Sequence, residues 1–136
     1  MKKQHKKVID FLNEAGYAFG TNTWDNTVKQ LEKDDGDGTL ATFNCDRRYR
    51  RNIISIYPSF YKETKKDQVQ ALIHELCHFI TNDMRQNSWN LREGVLVTEA
   101  ECNRSWEATT EWICRMLWTQ MKPNSILQNA IKNYLK

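Results

Sequence analysis

Ile73-His74-Glu75-Leu76-Cys77-His78-Phe79 is the stretch around which the rest of this chain is read. It places His-Glu-x-x-His inside an apolar pattern, with Val69, Leu72, Ile73, Leu76, Phe79 and Ile80 recurring at helical spacing. Residues four apart on an α-helix lie on one face. His74 and His78 therefore aim two imidazoles at a single point, with Glu75 beside them. Two imidazoles and an adjacent carboxylate are two metal ligands and a candidate general base. The whole chain has three histidines, and two of them stand here. A helix carrying two ordinary histidines accounts for neither that concentration nor the apolar flanks.

Working outward, Thr64-Lys65-Lys66-Asp67 opens the motif helix, with Thr64 or Asp67 as its cap, and Asn82-Asp83 is expected to end it. Before it come three candidate strands. Trp24 to Leu31 reads as a half-buried strand, Leu40 to Cys45 as a second and Asn52 to Tyr57 as a third, stopped by Pro58. Asp34-Asp35-Gly36-Asp37-Gly38 is a turn signal, and an arginine-rich segment, 46–51, turns the chain again. These elements predict a three-stranded antiparallel meander. An N-terminal helix spans 3–15 with Gly16 as its stop. Residues 84–97 are mixed, with Gly94 as a punctuator. A second long helix runs from about Thr98 to Met121, and Pro123 separates a short tail helix, 125–135. The predicted class is α+β: a three-stranded antiparallel sheet packed with the motif helix and a second long, Glu-bearing helix, in a single domain, 1–136.

The chain has 136 residues, 40% of them hydrophobic, which suffices for a packed core and argues against a wholly disordered chain. No apolar run approaches the roughly 18 residues needed to span a bilayer. The basic N-terminus, Met1 to Lys7, leads into Asp10, Asn13 and Glu14 rather than the apolar stretch of a secretion signal, so a cytoplasmic location is expected. Cys45, Cys77, Cys102 and Cys114 form no Cys-x-x-Cys pair and are expected as free thiols. Net charge is only +3, but basic residues cluster, most densely in Arg47-Arg48-Tyr49-Arg50-Arg51.

A catalytic zinc needs three protein ligands and an open position. His5 is remote and flanked by lysines. An extended motif with a third histidine needs Gly at 81 and His at 84, where this chain has Thr81 and Met84. The remaining source is a carboxylate on the second long helix: Glu99, Glu101, Glu107 or Glu111.

His74-Glu75-x-x-His78 followed by a Glu-bearing helix resembles the gluzincin group of zinc metallopeptidases, and more closely the small zincin-like domains often encoded by phages. In gluzincins the third ligand is a Glu, followed four residues later by an acidic residue that supports a histidine. That resemblance implies Glu107 as third ligand and Glu111 as the acceptor of a ligand histidine's free N–H. The chain departs from the family pattern in having Glu111 where Asp is usual and Trp106 where Asn is usual. Glu99 is the rival ligand: Glu99-Ala100-Glu101-Cys102-Asn103 resembles the Glu-x-x-Ala-Asn of another compact zincin group, with Cys102 replacing Ala.

The resemblance implies a Zn2+ cofactor, a peptide or protein substrate, Glu75 as general base on a zinc-activated water, and hydrolysis of peptide bonds. Tyr57, Tyr61 and Arg104 are candidate donors to a developing oxyanion. The third strand, 52–57, is the expected sheet edge for an extended peptide, by analogy of fold. Two alternatives stand beside this. One is a catalytically silent zincin-like binding module. The other is a basic nucleic-acid-binding protein gripping phosphates through Arg47, Arg48, Arg50 and Arg51, with Tyr49 stacking on a base. No membrane partner is expected.

Overall fold

The computed structural model describes residues 2–19, 21–46, 49–91, 98–120, 122–123 and 125–136. In order they form α1 (Lys2–Phe19), β1 (Asp25–Gln30), β2 (Ala41–Asp46), β3 (Arg51–Ile56), α2 (Lys65–Leu91), α3 (Glu99–Gln120) and α4 (Ile126–Leu135), with 3-10 turns at Thr21–Thr23 and Pro58–Lys62. The architecture is α+β. No helix among the described residues is long and apolar enough to cross a membrane.

The sheet is mixed, not the antiparallel meander expected. Its strand order is β1-β3-β2: β3 pairs parallel with β1, Asp25 opposite Arg51, and antiparallel with β2, Ala41 opposite Ile56. The third strand is therefore central, and β2 is an edge. The cause lies in the loop at 31–40. Chain leaving β1 must pass the width of two strand spacings, roughly 10 Å, to leave room for β3. A tight hairpin cannot do that, whereas this longer loop can. It turns at Gly36 and Gly38, whose φ angles of 87° and 77° lie in the left-handed region that glycine tolerates. Asp34 Oδ1 fastens the loop by accepting from the Ser59 amide at 2.8 Å.

Alternation sets which side of the sheet is covered. Ala41 and Phe43 on β2, and Asn52, Ile54 and Ile56 on β3, are buried, while Thr42 and Asn44 are exposed. Against that buried face pack Val8, Phe11, Leu12 and Ala15 of α1 and Val69, Leu72, Ile73 and Leu76 of α2, in one continuous core. Helix α4 closes the far side of α1 and α2. The Tyr134 ring meets Phe11 edge-on at 5.4 Å, and its hydroxyl donates to Gln68 Oε1 at 2.7 Å.

Helix ends follow capping chemistry. Thr64 Oγ1 accepts from the Asp67 amide at 3.2 Å and its hydroxyl meets the Asp67 carboxylate, forming a capping box at the start of α2. Thr98 does the same for α3, accepting from the Glu101 amide at 3.3 Å while its own amide donates to Glu101 Oε2 at 2.8 Å. Two expected stops do not stop their helices. α1 runs through Gly16 to Phe19, because Gly16 is buried and Phe19 adds an apolar anchor to the core. α2 runs through Asn82-Asp83 to Leu91, as neither Gly nor Pro intervenes and Thr81 is held inside by its own hydrogen bonds. Gly94 lies outside the described residues.

Candidate metal centre

α2 and α3 pack side by side and antiparallel, since Thr81 late on α2 meets Thr110 and Trp106, while His74 earlier on α2 meets Glu111. This pairing brings two stripes of α3 onto the two histidines. Glu107 and Glu111, four residues apart, face His74. Trp106 and Thr110, also four apart, face His78.

Glu107 Oε2 lies 3.3 Å from His74 Nε2 and 3.5 Å from His78 Nε2. The other nitrogen of each ring is occupied. His74 Nδ1 donates to Glu111 Oε2 at 3.0 Å. His78 Nδ1 and Thr110 Oγ1 hydrogen-bond at 3.1 Å, and Thr110 and Thr81 share a 2.8 Å hydrogen bond. Trp106 Nε1 donates to Thr81 Oγ1 at 2.9 Å, and the Trp106 indole lies 4.2 Å from the His78 ring, centroid to centroid. With both Nδ1 positions committed, both Nε2 atoms are directed to the same point as the Glu107 carboxylate.

This donor set fits a tetrahedral metal. Ligand atoms about 2.0–2.1 Å from zinc at tetrahedral angles stand roughly 3.3–3.4 Å from one another. The two Nε2-to-carboxylate separations, 3.3 and 3.5 Å, sit on that value. Among the described residues, His74, His78 and Glu107 are the group whose ligand atoms gather closely enough to hold an ion. Two imidazoles and one carboxylate are three donors, one fewer than a tetrahedral set.

The charges of these side chains are set by one another and by burial. Hydrogen bonding to Glu107, supported by Glu75 and Glu111, raises the His74 pKa to about 9 against the opposing effect of burial. The same contact, with a second from His78, lowers Glu107 to about 2. Glu75 is 6% exposed, and burial pushes its carboxyl up to about 8 despite the nearby His74. Glu75 Oε2 is buried with no hydrogen-bond donor among the described residues. A buried, unpartnered carboxyl oxygen is costly to maintain.

The centre opens on a cleft of about 1050 Å³. One wall is the edge strand and the chain leading into it, residues 39–43. The other two are the facing stripes of α2 and α3, with His74, Glu75, His78, Glu107 and Glu111 at their middle.

The remaining sequence candidates fall elsewhere. Glu101 is spent in the capping box of α3. Glu99 is two turns before Glu107, about 12 Å along the helix, and is exposed outside the His74–His78 group. His5 hydrogen-bonds Tyr61 at 3.0 Å on the other side of the core. Tyr57, Tyr61 and Arg104 do not line the cleft. Arg47 and Arg48 lie outside the described residues, Arg51 is paired with Asp25 at 3.6 Å, and its guanidinium lies 6.0 Å from the Tyr49 ring centroid. None of the four cysteines forms a disulfide. Sequence reading overlooked Thr81, Trp106 and Thr110. Their signal was present: Trp106 and Thr110 form a second four-residue stripe beside Glu107 and Glu111, and Thr81 stands one residue past a helical turn from the motif's apolar face.

No family model matches this chain, and neither the curated proteins nor the solved structures include a significant match to it.

Proposed function

We propose that this chain is a zinc-dependent metallopeptidase of zincin-like type, with zinc held by His74, His78 and Glu107. The observation that carries the reading is the convergence of both Nε2 atoms on the Glu107 carboxylate at the spacing of tetrahedral ligands, in one cleft with a buried Glu75. A zinc ion there supplies Lewis acidity toward a carbonyl oxygen and lowers the pKa of water toward neutrality. The protein's own groups do the rest. Glu111 and Thr110 hold the two imidazoles at their Nδ1 atoms, so neither ring can turn away. Glu75, whose Oε2 meets no donor among the described residues, accepts a proton from water and returns it to a leaving amine. The edge strand β2 lines the cleft beside the centre, where an extended peptide would add as a further strand. Retention of a buried carboxylate that is not a ligand favours catalysis over a silent binding module, since a structural metal has no use for a base.

The test compares zinc-loaded wild type with Glu75→Gln on an unstructured protein such as casein. The wild type is expected to cleave it. The variant is expected to keep its zinc and lose at least about a hundredfold in rate, the scale of a lost general base. Full zinc occupancy with no cleavage by the wild type, or equal cleavage by both, contradicts the proposal.

A further inference from the structure

The cleft extends well past the metal ligands, toward the start of α2. On α2 its lining continues from His74 back through Ala71 and Gln70 to Asp67, one helical stripe; on α3 it continues from Glu111 through Cys114 to Trp118. Ala71 and Cys114 are small, so they leave space between the helices where larger side chains would fill it. Trp118, half-buried, flanks that space with an indole. Asp67 stands at the end of it, about 10 Å along α2 from His74. That is the span of a long side chain whose backbone lies beside the histidines.

The charge of this arm is one-sided. Four carboxyl groups line the cleft, those of Asp67, Glu75, Glu107 and Glu111, and among the described residues no lysine or arginine does so. Three have work at the centre: Glu107 as ligand, Glu111 on His74, Glu75 as base. Asp67 does not. One of its oxygens is occupied by the Thr64 hydroxyl, and no cation pairs with it among the described residues. Its full negative charge exceeds the partial positive charge of the helix end on which it sits. A slot with small apolar residues along its length, an aromatic ring at its side and a carboxylate at its end suits a long aliphatic stem tipped with a cation. A purely apolar side chain would strip water from Asp67 and give nothing back.

Resting on the metallopeptidase reading, we infer that Asp67 and Trp118 form a specificity pocket for a basic residue, arginine or lysine, flanking the scissile bond. Binding measured without turnover separates the fate of this pocket from that of the hydrolase reading. Zinc-loaded Glu75→Gln protein is titrated calorimetrically with acetylated pentapeptide amides of alanine, each carrying a single arginine, and with the same series carrying norleucine, which keeps the stem and drops the charge. The best arginine peptide is expected to bind about tenfold tighter than its norleucine counterpart, with the advantage shrinking as salt is raised. Adding Asp67→Asn, which keeps an oxygen for Thr64, is expected to abolish the advantage and leave norleucine binding unchanged. Trp118→Leu is expected to weaken both series. Equal binding of the two series, an arginine preference that survives Asp67→Asn, or no binding of any peptide overturns the pocket. Failure of the hydrolase reading shows itself separately, as wild type that holds zinc and cleaves nothing.

Discussion

His78 is held by a line of neutral groups, whereas His74 is held by charge. His78 Nδ1 hydrogen-bonds Thr110, which meets Thr81, which in turn accepts from Trp106, all at 2.8–3.1 Å and, at the two threonines, fully buried. Thr110→Val keeps the shape and removes the hydroxyl. It is expected to cost roughly 1–3 kcal/mol in thermal or denaturant unfolding and about 10–100-fold in zinc affinity, while Thr110→Ser stays near wild type. A valine variant with wild-type zinc affinity would show that the hydroxyl orients nothing. His74 carries a different consequence. With a pKa near 9 in the metal-free protein, its Nε2 bears a proton at neutral pH that a metal must displace. Zinc affinity, measured against a chelator of known pH dependence, is therefore expected to rise with pH from 6 and to level off near 9. The sign follows from the direction of the shift: a raised histidine pKa stabilises the protonated, metal-free form up to that pH. Affinity that is flat across this range would contradict the His74–Glu107 and His74–Glu111 contacts.

At the scale of elements, helices and their faces were legible because a period of 3.6 in apolar residues requires only neighbouring positions to be read. The motif stripe, the second long helix and the tail helix all stand close to where periodicity places them. Strand order was not legible, because pairing depends on residues far apart. The clue was the length of 31–40, too long for a hairpin and suited to crossing an intervening strand. The helix stop at Gly16 failed because burial outweighs a local cost of about 1 kcal/mol, and the stop at Asn82-Asp83 because neither residue breaks a helix as Gly or Pro does. The position of Glu107 and Glu111 against His74 could not be read from either helix alone, as it depends on how α2 and α3 slide against each other. Capping separates the two roles of glutamates on α3. Thr98→Ala, which removes the box that occupies Glu101, is expected to destabilise by about 1 kcal/mol and to leave zinc affinity within a factor of two, because Glu107 lies two turns inside the helix. A large loss of zinc in that variant would place the ligand in the first turn instead.

For the molecule as a whole, the metal centre is a tie between α2, which belongs to the central core, and α3, which carries the opposite wall of the cleft. An ion bound only by the folded form stabilises it by mass action, about 2.7 kcal/mol at a hundredfold excess over its dissociation constant. Thermal unfolding is accordingly expected to move upward with zinc and back with a chelator, and to do neither in Glu107→Ala. The metal centre is tested most directly by the zinc content of the purified chain, wild type beside Glu107→Ala and Glu99→Ala. One zinc per chain is expected in the wild type and in Glu99→Ala, and its loss in Glu107→Ala. A wild type that holds no zinc after the metal is added back, or a Glu107→Ala variant that keeps it, would contradict the centre described here.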